Sequence, residues 1–268
     1  MSRLRRLDAE LVRRGLARSR QHAGELVASG RVRVAGSPAG KAATQVDPAA
    51  AIVVDVDDGD PAYASRGGHK LAGALDAFEP AGLRVAGQRC LDAGASTGGF
   101  TDVLLRRGAA TVVAVDVGYG QLVWALRQDP RVTVLDRTNV RDLTPDLVGA
   151  PVDLVVGDLS FISLRLVLEP LRAVAVADAD LVLMVKPQFE VGRERLGPGG
   201  VVREPALRAD AVRGVADSAS RIGLGVAGVV ASPLPGPSGN VEYFLWLRAG
   251  APALDDGDLA RAVEEGPQ

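Results

Sequence analysis

Between residues 90 and 247, apolar runs recur at 90–92, 111–116, 132–135, 152–157, 181–186, 226–231 and 241–247, with amphipathic stretches between most of them. Short runs without polar alternation fit strands buried on both faces. Strands that alternate with helical stretches predict a mostly parallel sheet covered by helices on both sides. The first 56 residues have a different grain. Leu7, Leu11 and Val12 share one face of a helix that Gly15 ends. Ala23, Leu26 and Val27 do the same between Ser19, a fitting N-cap, and Gly30. Arg31-Val32-Arg33-Val34 alternates as a half-exposed strand does, Ala35-Gly36-Ser37-Pro38 is a turn, and Ile52-Val53-Val54-Asp55-Val56 closes a second strand. The pattern predicts a small helix–helix–strand–turn–strand domain over 1–60. A turn-rich stretch around Asp57-Asp58-Gly59-Asp60-Pro61 leads into a linker over 61–64, and a larger α/β domain spans 65–268. Leu71, Leu75 and Phe78 line a helix that starts near Lys70. Residues 192–200 form a glycine-rich loop, a candidate mobile element, and Leu259 to Val263 leave room for a last short helix.

Charge sharpens this division. The net charge of −2 conceals ten Arg and Lys against three acids in residues 1–45, a surplus of +7, so the remainder carries −9. A basic module on an acidic body predicts a polyanion partner for the module alone. Its candidate contacts are Arg3, Arg5, Arg6, Arg14, Arg18, Arg20, Arg31 and Lys41, joined on the body by Arg66, Arg137 and Arg193. Such residues bind phosphates and add affinity without reading sequence. The single cysteine, Cys90, permits no internal disulfide and suits a reducing cytoplasm, where it is expected to pack as a small apolar residue. No run of about 18 apolar residues predicts a membrane span, and no apolar core follows the basic N-terminus as in a secretory signal.

The candidate chemistry begins at Leu91-Asp92-Ala93-Gly94-Ala95-Ser96-Thr97-Gly98-Gly99-Phe100-Thr101, a strand, glycine turn and helix start. Such a turn lets a ligand approach the backbone and aims helix N–H groups at it. Asp92 stands just before the first glycine. A carboxylate there disfavours a pyrophosphate and suits a ligand with a positive end, which points to S-adenosyl-L-methionine rather than a nicotinamide dinucleotide. Ligands in open α/β sheets bind beyond the carboxyl ends of the strands. Asp116, with Val117, would hold ribose hydroxyls; Asp136, with Arg137 and Asn139, would face the adenine; Asp158 follows the fourth strand. Lys186 closes an apolar run, where burial of a cation is costly and prepares it to act as a base or orienting group, and Glu242 heads another such run. Lys70 lies at the start of its helix, the end that cations disfavour. His69 is assigned to polar packing, and no metal site is expected.

The stretch from Leu7 to Val34 resembles the alpha-L RNA-binding motif found in a small-subunit ribosomal protein, in pseudouridine synthases and in tyrosyl-tRNA synthetases. Over nearly the whole chain, six words together resemble the TlyA-type family of ribosomal RNA 2′-O-methyltransferases, also called hemolysins. They are Ser65-Arg66-Gly67-Gly68-His69-Lys70, the glycine turn, Asp116-Val117-Gly118-Tyr119-Gly120-Gln121-Leu122, Asp158-Leu159-Ser160-Phe161-Ile162-Ser163, Lys186-Pro187-Gln188-Phe189-Glu190, and the segment from Ser232 to Tyr243. The resemblance implies a Rossmann-like methyltransferase domain with a seven-stranded, mostly parallel sheet, similar to the heat-shock ribosomal methyltransferases. It also implies a Lys-Asp-Lys-Glu tetrad, which falls here on Lys70, Asp158, Lys186 and Glu242. It further implies cytidine 2′-hydroxyls in both ribosomal subunits as substrates, sensitivity to capreomycin, and ribosomal RNA within the subunits as the partner, without an obligate protein partner. Lys186 would then activate the hydroxyl, Asp158 would steer it, and Lys70 and Glu242 would complete the electrostatic frame. The sequence departs from the family at Pro61-Ala62-Tyr63-Ala64, where the family has a charged, tryptophan-bearing linker. A coupling of RNA and donor binding through that linker is therefore not carried over. The competing expectations are a non-catalytic ribosome-assembly factor, a pore-forming hemolysin, which the lack of a spanning segment disfavours, and a nicotinamide enzyme on the same fold.

Overall fold

A computed structural model describes residues 4–14, 16–17, 20–54, 61–236 and 238–267, Arg193 without its side chain. Arg3, Arg18 and the 193 side chain, all candidate RNA contacts, and the polar turn over 55–60 lie outside the described residues. The chain divides into two compact units, Met1–Ala62 and Tyr63–Gln268.

In the first unit β1 (Arg5–Arg6), α1 (Leu7–Arg13), α2 (Arg20–Ala28), β2 (Val32–Val34), β3 (Ser37–Pro38), β4 (Gln45–Val46) and β5 (Ile52–Val54) follow one another. Leu7 and Leu11 on α1, with Ala23, Leu26 and Val27 on α2, close a small core over Val32 and Val46. The expected turn over 35–38 is tighter. Ala35 and Gly36, both at positive φ, form a two-residue hairpin, and Ser37–Pro38 pair with β2. Positive φ at both central residues matches the twist of the flanking strands. Pro38 is tolerated because β3 is an edge of the sheet β3-β2-β5.

Four of this unit's arginines pair with two buried acids. Glu10 is fully buried on α1, and its carboxylate accepts from Arg13 and, at 2.8 Å, from Arg14. Arg14 also donates to the carbonyl oxygens of Pro48 at 2.7 Å and Ala50 at 2.9 Å. Buried Asp8 pairs with Arg6 at 2.8 Å and Arg20 at 3.0 Å. These arginines hold both carboxyls below the usual range, Glu10 to about 2. The expectation that Arg14 faces RNA is therefore corrected. Its guanidinium ties α1 to the segment before β5, since a buried Glu10 and two carbonyls need its donors.

The second unit comprises α3 (Arg66–Phe78), β6 (Arg89–Ala93), α4 (Gly99–Arg106), β7 (Thr111–Val115), α5 (Trp124–Arg127), β8 (Val132–Leu135), α6 (Pro145–Val148), β9 (Val152–Gly157), α7 (Leu168–Ala173), β10 (Ala175–Val185), α8 (Pro187–Glu190), α9 (Pro205–Ser220), β11 (Leu224–Ala231), β12 (Tyr243–Ala249) and α10 (Asp256–Glu265). One seven-stranded sheet runs β11-β12-β10-β9-β6-β7-β8. β8, β7, β6, β9 and β10 are parallel, and β12 is antiparallel to both its neighbours. Successive residues feed opposite cores. Leu91, Val113, Val155 and Leu181 pack on one face, and Cys90, Val112, Leu154 and Val182 on the other. This explains the continuous apolar runs. Burial pushes the Cys90 thiol up to about 12, so it packs as an inert apolar residue.

Three local features differ from the sequence reading. β10 starts six residues early, at Ala175, with a register irregularity before Asp180. Asp180 then caps the strand pair by accepting from the Trp246 indole at 2.6 Å and from Arg248 at 2.7 Å. The 192–200 loop is built of two 3-10 turns, Arg193–Arg195 and Pro198–Gly200, flanked by Val191 and Val202, which are buried against Ala211. Half of the expected linker belongs to the second unit. Tyr63 is buried edge-on to His69, and the Ala64 N–H donates to Asp102 at 2.8 Å.

Candidate active site

Sheet order reverses between β6 and β9, where chain connections leave in opposite directions and open a crevice at the carboxyl ends of the strands. A cavity of about 550 Å³ lies there, lined among others by Gly94, Ser96, Asp116, Asn139, Asp158 and Phe161. That volume is in the range of small-molecule sites.

The glycine turn forms its floor. The N–H groups of Gly94 and Ala95 both donate to the carbonyl of Val115, at 2.9 and 3.0 Å, which folds the turn against the end of β7. Gly94 has φ +86°, and a Cβ there would lie 2.6 Å from the carbonyl oxygen of Asp158, so only glycine fits. Asp116 is fixed on the cavity wall by two backbone donors, Ser96 at 2.8 Å and Gly118 at 2.7 Å. Its further lone pairs remain for a ligand.

The structure separates the expected donor-site residues. Gly94, Ser96, Asp116, Val117, Asn139 and Asp158 line the cavity. Asp92 does not. It is completely buried behind the turn, where its Oδ2 accepts from the Thr101 hydroxyl at 2.7 Å and its Oδ1 has no hydrogen-bond partner among the described residues. Burial, with smaller contributions from the charges of Asp158 and Asp116, pushes its carboxyl up to about 7. Phe100 faces Phe244 in the core, and Ala95 is likewise buried. Gly98 and Gly99 shape the start of α4, and the carbonyl of Thr97 accepts from Val123. Asp136 turns from the adenine role assigned to it. It pairs with Arg127 at 2.6 Å, which holds its carboxyl below the ordinary value. Arg137 is exposed at φ +54°, with its guanidinium 4.4 Å from the centre of the Tyr119 ring. Asn139 takes the wall position at this strand end, with its Oδ1 accepting from the Arg141 N–H at 3.0 Å.

The four polar residues singled out on distant segments form two ion pairs, one buried and one at the cavity wall. Lys70, in the second turn of α3, is ion-paired with Glu242, which precedes β12. Glu242 is 1% exposed, its Oε1 has no other partner among the described residues, and a Cβ on Gly236 would lie 2.6 Å from that oxygen. Lys186, at the end of β10, lies 2.6 Å from Asp158 Oδ1, an ion pair without the alignment of a hydrogen bond. It donates instead to Ser160 Oγ at 2.8 Å. Asp158 is the member of this pair on the cavity wall. Phe161 follows at φ +65°, 91% exposed, with its ring 5.3 Å from that of Phe189. Positive φ at a bulky residue is strained, and such strain gathers at functional sites.

Two residues escaped the sequence reading. Ser160 stood in a quoted word without a role. Glu190, on α8 and buried, accepts from the Ser163 hydroxyl at 2.6 Å, the Leu164 N–H at 2.7 Å and Arg165 at 3.2 Å. Burial raises its carboxyl above the ordinary value. It fastens the far end of the loop after β9 to the segment that carries Lys186. Its position four residues after Lys186 in Lys186-Pro187-Gln188-Phe189-Glu190 is the available signal.

A model of the FtsJ-like methyltransferase family matches residues 63–249, and one of the S4 domain matches residues 5–52. The chain is 61% identical, over the whole length of both, to the 16S/23S rRNA (cytidine-2′-O)-methyltransferase TlyA of Mycobacterium tuberculosis. It is 34% identical to hemolysin A of Brachyspira hyodysenteriae, over 89% of this chain and 98% of that one. The solved structure of a hemolysin-named protein from Streptococcus thermophilus is similar at a TM-score of 0.78 and 36% identity, covering 99% of this chain and 96% of the other. With an RNA-binding module ahead of a methyltransferase sheet and this similarity along its full length, the chain belongs to the FtsJ-like methyltransferase family and, within it, to the S4-domain-bearing TlyA group.

Proposed function

We propose that the protein methylates the 2′-hydroxyl of cytidines in ribosomal RNA of both subunits, with S-adenosyl-L-methionine as donor, in the cytoplasm. The observation that carries the reading is Lys186 paired with Asp158 at the edge of a cavity lined by Asp116. The donor set fits S-adenosyl-L-methionine. Its wall is acidic, which suits an ammonium and a sulfonium, and Asp116 stands where its carboxylate would accept from ribose hydroxyls. When bound, that group supplies an electrophilic methyl on sulfur. Asp116 would hold the ribose, Asn139 the adenine edge, and Asp158 the cationic end.

The acceptor side falls to the chain's own cations. A ribose hydroxyl is a weak nucleophile whose proton must leave as its oxygen becomes bonded to carbon. Lys186 would face that hydroxyl and take the proton as a neutral amine, or stabilise the developing alkoxide as an ammonium. Asp158 would keep Lys186 in place. Lys70 and Glu242 would fix the field around the pair while neutralising each other. A base read or modified by a protein leaves its stack, and the exposed ring of Phe161 offers such a base a face. The basic first unit would bring the RNA through phosphate contacts, from Arg5, Lys41 and those arginines not engaged internally.

The test is Lys186→Ala, assayed for transfer of labelled methyl to purified ribosomal subunits and for donor affinity. Turnover is expected to fall by about 10²–10⁴-fold, with donor affinity within a few-fold of the parent. Near-normal turnover overturns the assignment. Mapping 2′-O-methyl sites in ribosomal RNA from cells with and without the protein identifies the nucleotides.

A further inference from the structure

Lys186 has two close partners of different kinds. The contact with Asp158, 2.6 Å long, is an ion pair without hydrogen-bond alignment. The contact with Ser160, at 2.8 Å, is a directed hydrogen bond in which the amine donates. A lysine amine on its four-carbon stem is a rotatable point charge with no built-in direction. Coulomb attraction to Asp158 therefore fixes where the nitrogen is, and leaves open which way its N–H bonds point. Ser160 supplies that direction.

The position of Ser160 is itself held from both sides. It lies in the loop that follows β9, two residues beyond Asp158, whose N–H donates to the Ala93 carbonyl at 3.0 Å. At the loop's other end Glu190 accepts from Ser163 and Leu164. Glu190 lies four residues after Lys186 on the same segment, so the amine and its acceptor are fixed to one another through a short, closed circuit of bonds. Ser160 also lines the cavity and is exposed there.

We propose that Ser160 is a positioning residue for methyl transfer: its Oγ accepts one Lys186 N–H and so turns the free valence of the amine toward the acceptor hydroxyl. The inference rests on the reading that Lys186 activates that hydroxyl. Ser160 keeps its own proton throughout, and no group is transferred to it. Alignment of this kind acts on turnover rather than on substrate or donor binding.

The experiment compares Ser160→Ala, Ser160→Thr, Lys186→Ala and the Ser160→Ala/Lys186→Ala double variant, in the full-length protein with ribosomal subunits as acceptor. Ser160→Ala is expected to lower kcat by about tenfold, a typical cost of one lost orienting bond, with KM and donor Kd within about twofold. Ser160→Thr retains the hydroxyl and is expected to stay within about threefold of the parent. In the Lys186→Ala background, Ser160→Ala is expected to add nothing, since a residue that works only through Lys186 has no role once the amine is gone. Unchanged kcat in Ser160→Ala overturns the proposal. So does an effect confined to KM or donor Kd, a Thr variant as impaired as the Ala variant, or a full additional loss in the double variant. If Lys186→Ala itself turns over normally, the underlying assignment of Lys186 fails instead, whatever Ser160→Ala does.

Discussion

Glu10 and Asp92 are both completely buried acids, one in each unit of the chain, and they titrate in opposite directions. Glu10 is wrapped by Arg13 and Arg14 and is held to about 2. Burial, and after it the negative charges of Asp158 and Asp116, raise Asp92 to about 7 against the hydrogen bonds it accepts from Thr101. Arginine donors outweigh desolvation at Glu10, and desolvation outweighs a single hydroxyl donor at Asp92. The contrast follows the division of labour. A unit of some sixty residues has a small apolar core, and its buried acids pair with arginines in or beside both helices, of which Arg14 also bonds to the segment before β5. The larger unit has apolar layers on both faces of its sheet and concentrates acids at one end. In the proposed function those acids face the cationic end of the donor.

The largest test carries this contrast into the second unit, where Lys70 and Glu242 form a buried pair. Glu242→Ala leaves the Lys70 ammonium buried without its partner, and is expected to cost about 3–5 kcal/mol in chemical denaturation. The double variant Lys70→Met/Glu242→Leu removes both charges and is expected to recover most of that loss while methyl transfer stays undetectable. Recovery of transfer in the double variant would show that the pair is structural, as Glu10 is, and has no place in the chemistry.

Asp92 is expected to give the next largest effect. Its folded carboxyl sits at about 7, against the 3.8 of an ordinary aspartate. Between those values the native state holds a proton that the unfolded chain has released, so this group's contribution to stability declines as pH rises from about 4 to 7 and is constant above. Asp92→Asn imitates the protonated form. The variant and parent are expected to be equally stable near pH 4, and the variant to be more stable at pH 8, by at most about 4 kcal/mol. Parallel stability curves from pH 4 to 8 would show that Asp92 is ionised throughout. Glu10 has the opposite sign. Its contribution is complete above the carboxylate's ordinary value and is lost as pH falls through about 2. Glu10→Gln should weaken RNA binding by loosening the first unit, and leave donor affinity within about twofold, because the donor cavity lies wholly in the second.

What the sequence disclosed follows from which interactions are local. The strands at 132–135 and 152–157 have the bounds that the sequence predicts, because β-branched and aliphatic residues dominate both and turn residues flank them. The helices of the first unit were legible through Leu7, Leu11, Ala23, Leu26 and Val27, by their helical spacing. The Lys70–Glu242 pair spans 172 positions, and only the resemblance to a family joined its halves before the fold did. Arg14 reaches carbonyls 34 and 36 residues away, so nothing near it distinguishes it from an arginine that meets RNA. Asp136 likewise has an ion pair that is not written in the local pattern. Its place after a strand was read correctly, but Arg127, nine residues earlier on α5, already engages it and leaves the cavity wall to Asn139. Asp92 was placed correctly at the strand end; what the pattern did not carry was that the turn folds over it.

The smallest expected effect separates inward from outward charge within the first unit. Arg14 and Lys41 were indistinguishable as candidate RNA contacts, yet Arg14 is bonded to Glu10, Pro48 and Ala50 whereas Lys41 is exposed. Lys41→Ala is expected to leave stability within about 0.5 kcal/mol and to reduce the slope of log affinity against log salt by about one, as the loss of a single phosphate contact does. Arg14→Ala is expected to do the reverse: lowered thermal stability of the first unit, with the salt dependence of whatever folded protein remains unaltered. Because the two variants each remove one positive charge, a difference between them cannot come from net charge. If both variants flatten the salt slope equally, Arg14 reaches phosphate despite its internal bonds, and the inward-facing charges of this unit belong to its RNA surface as well as to its core.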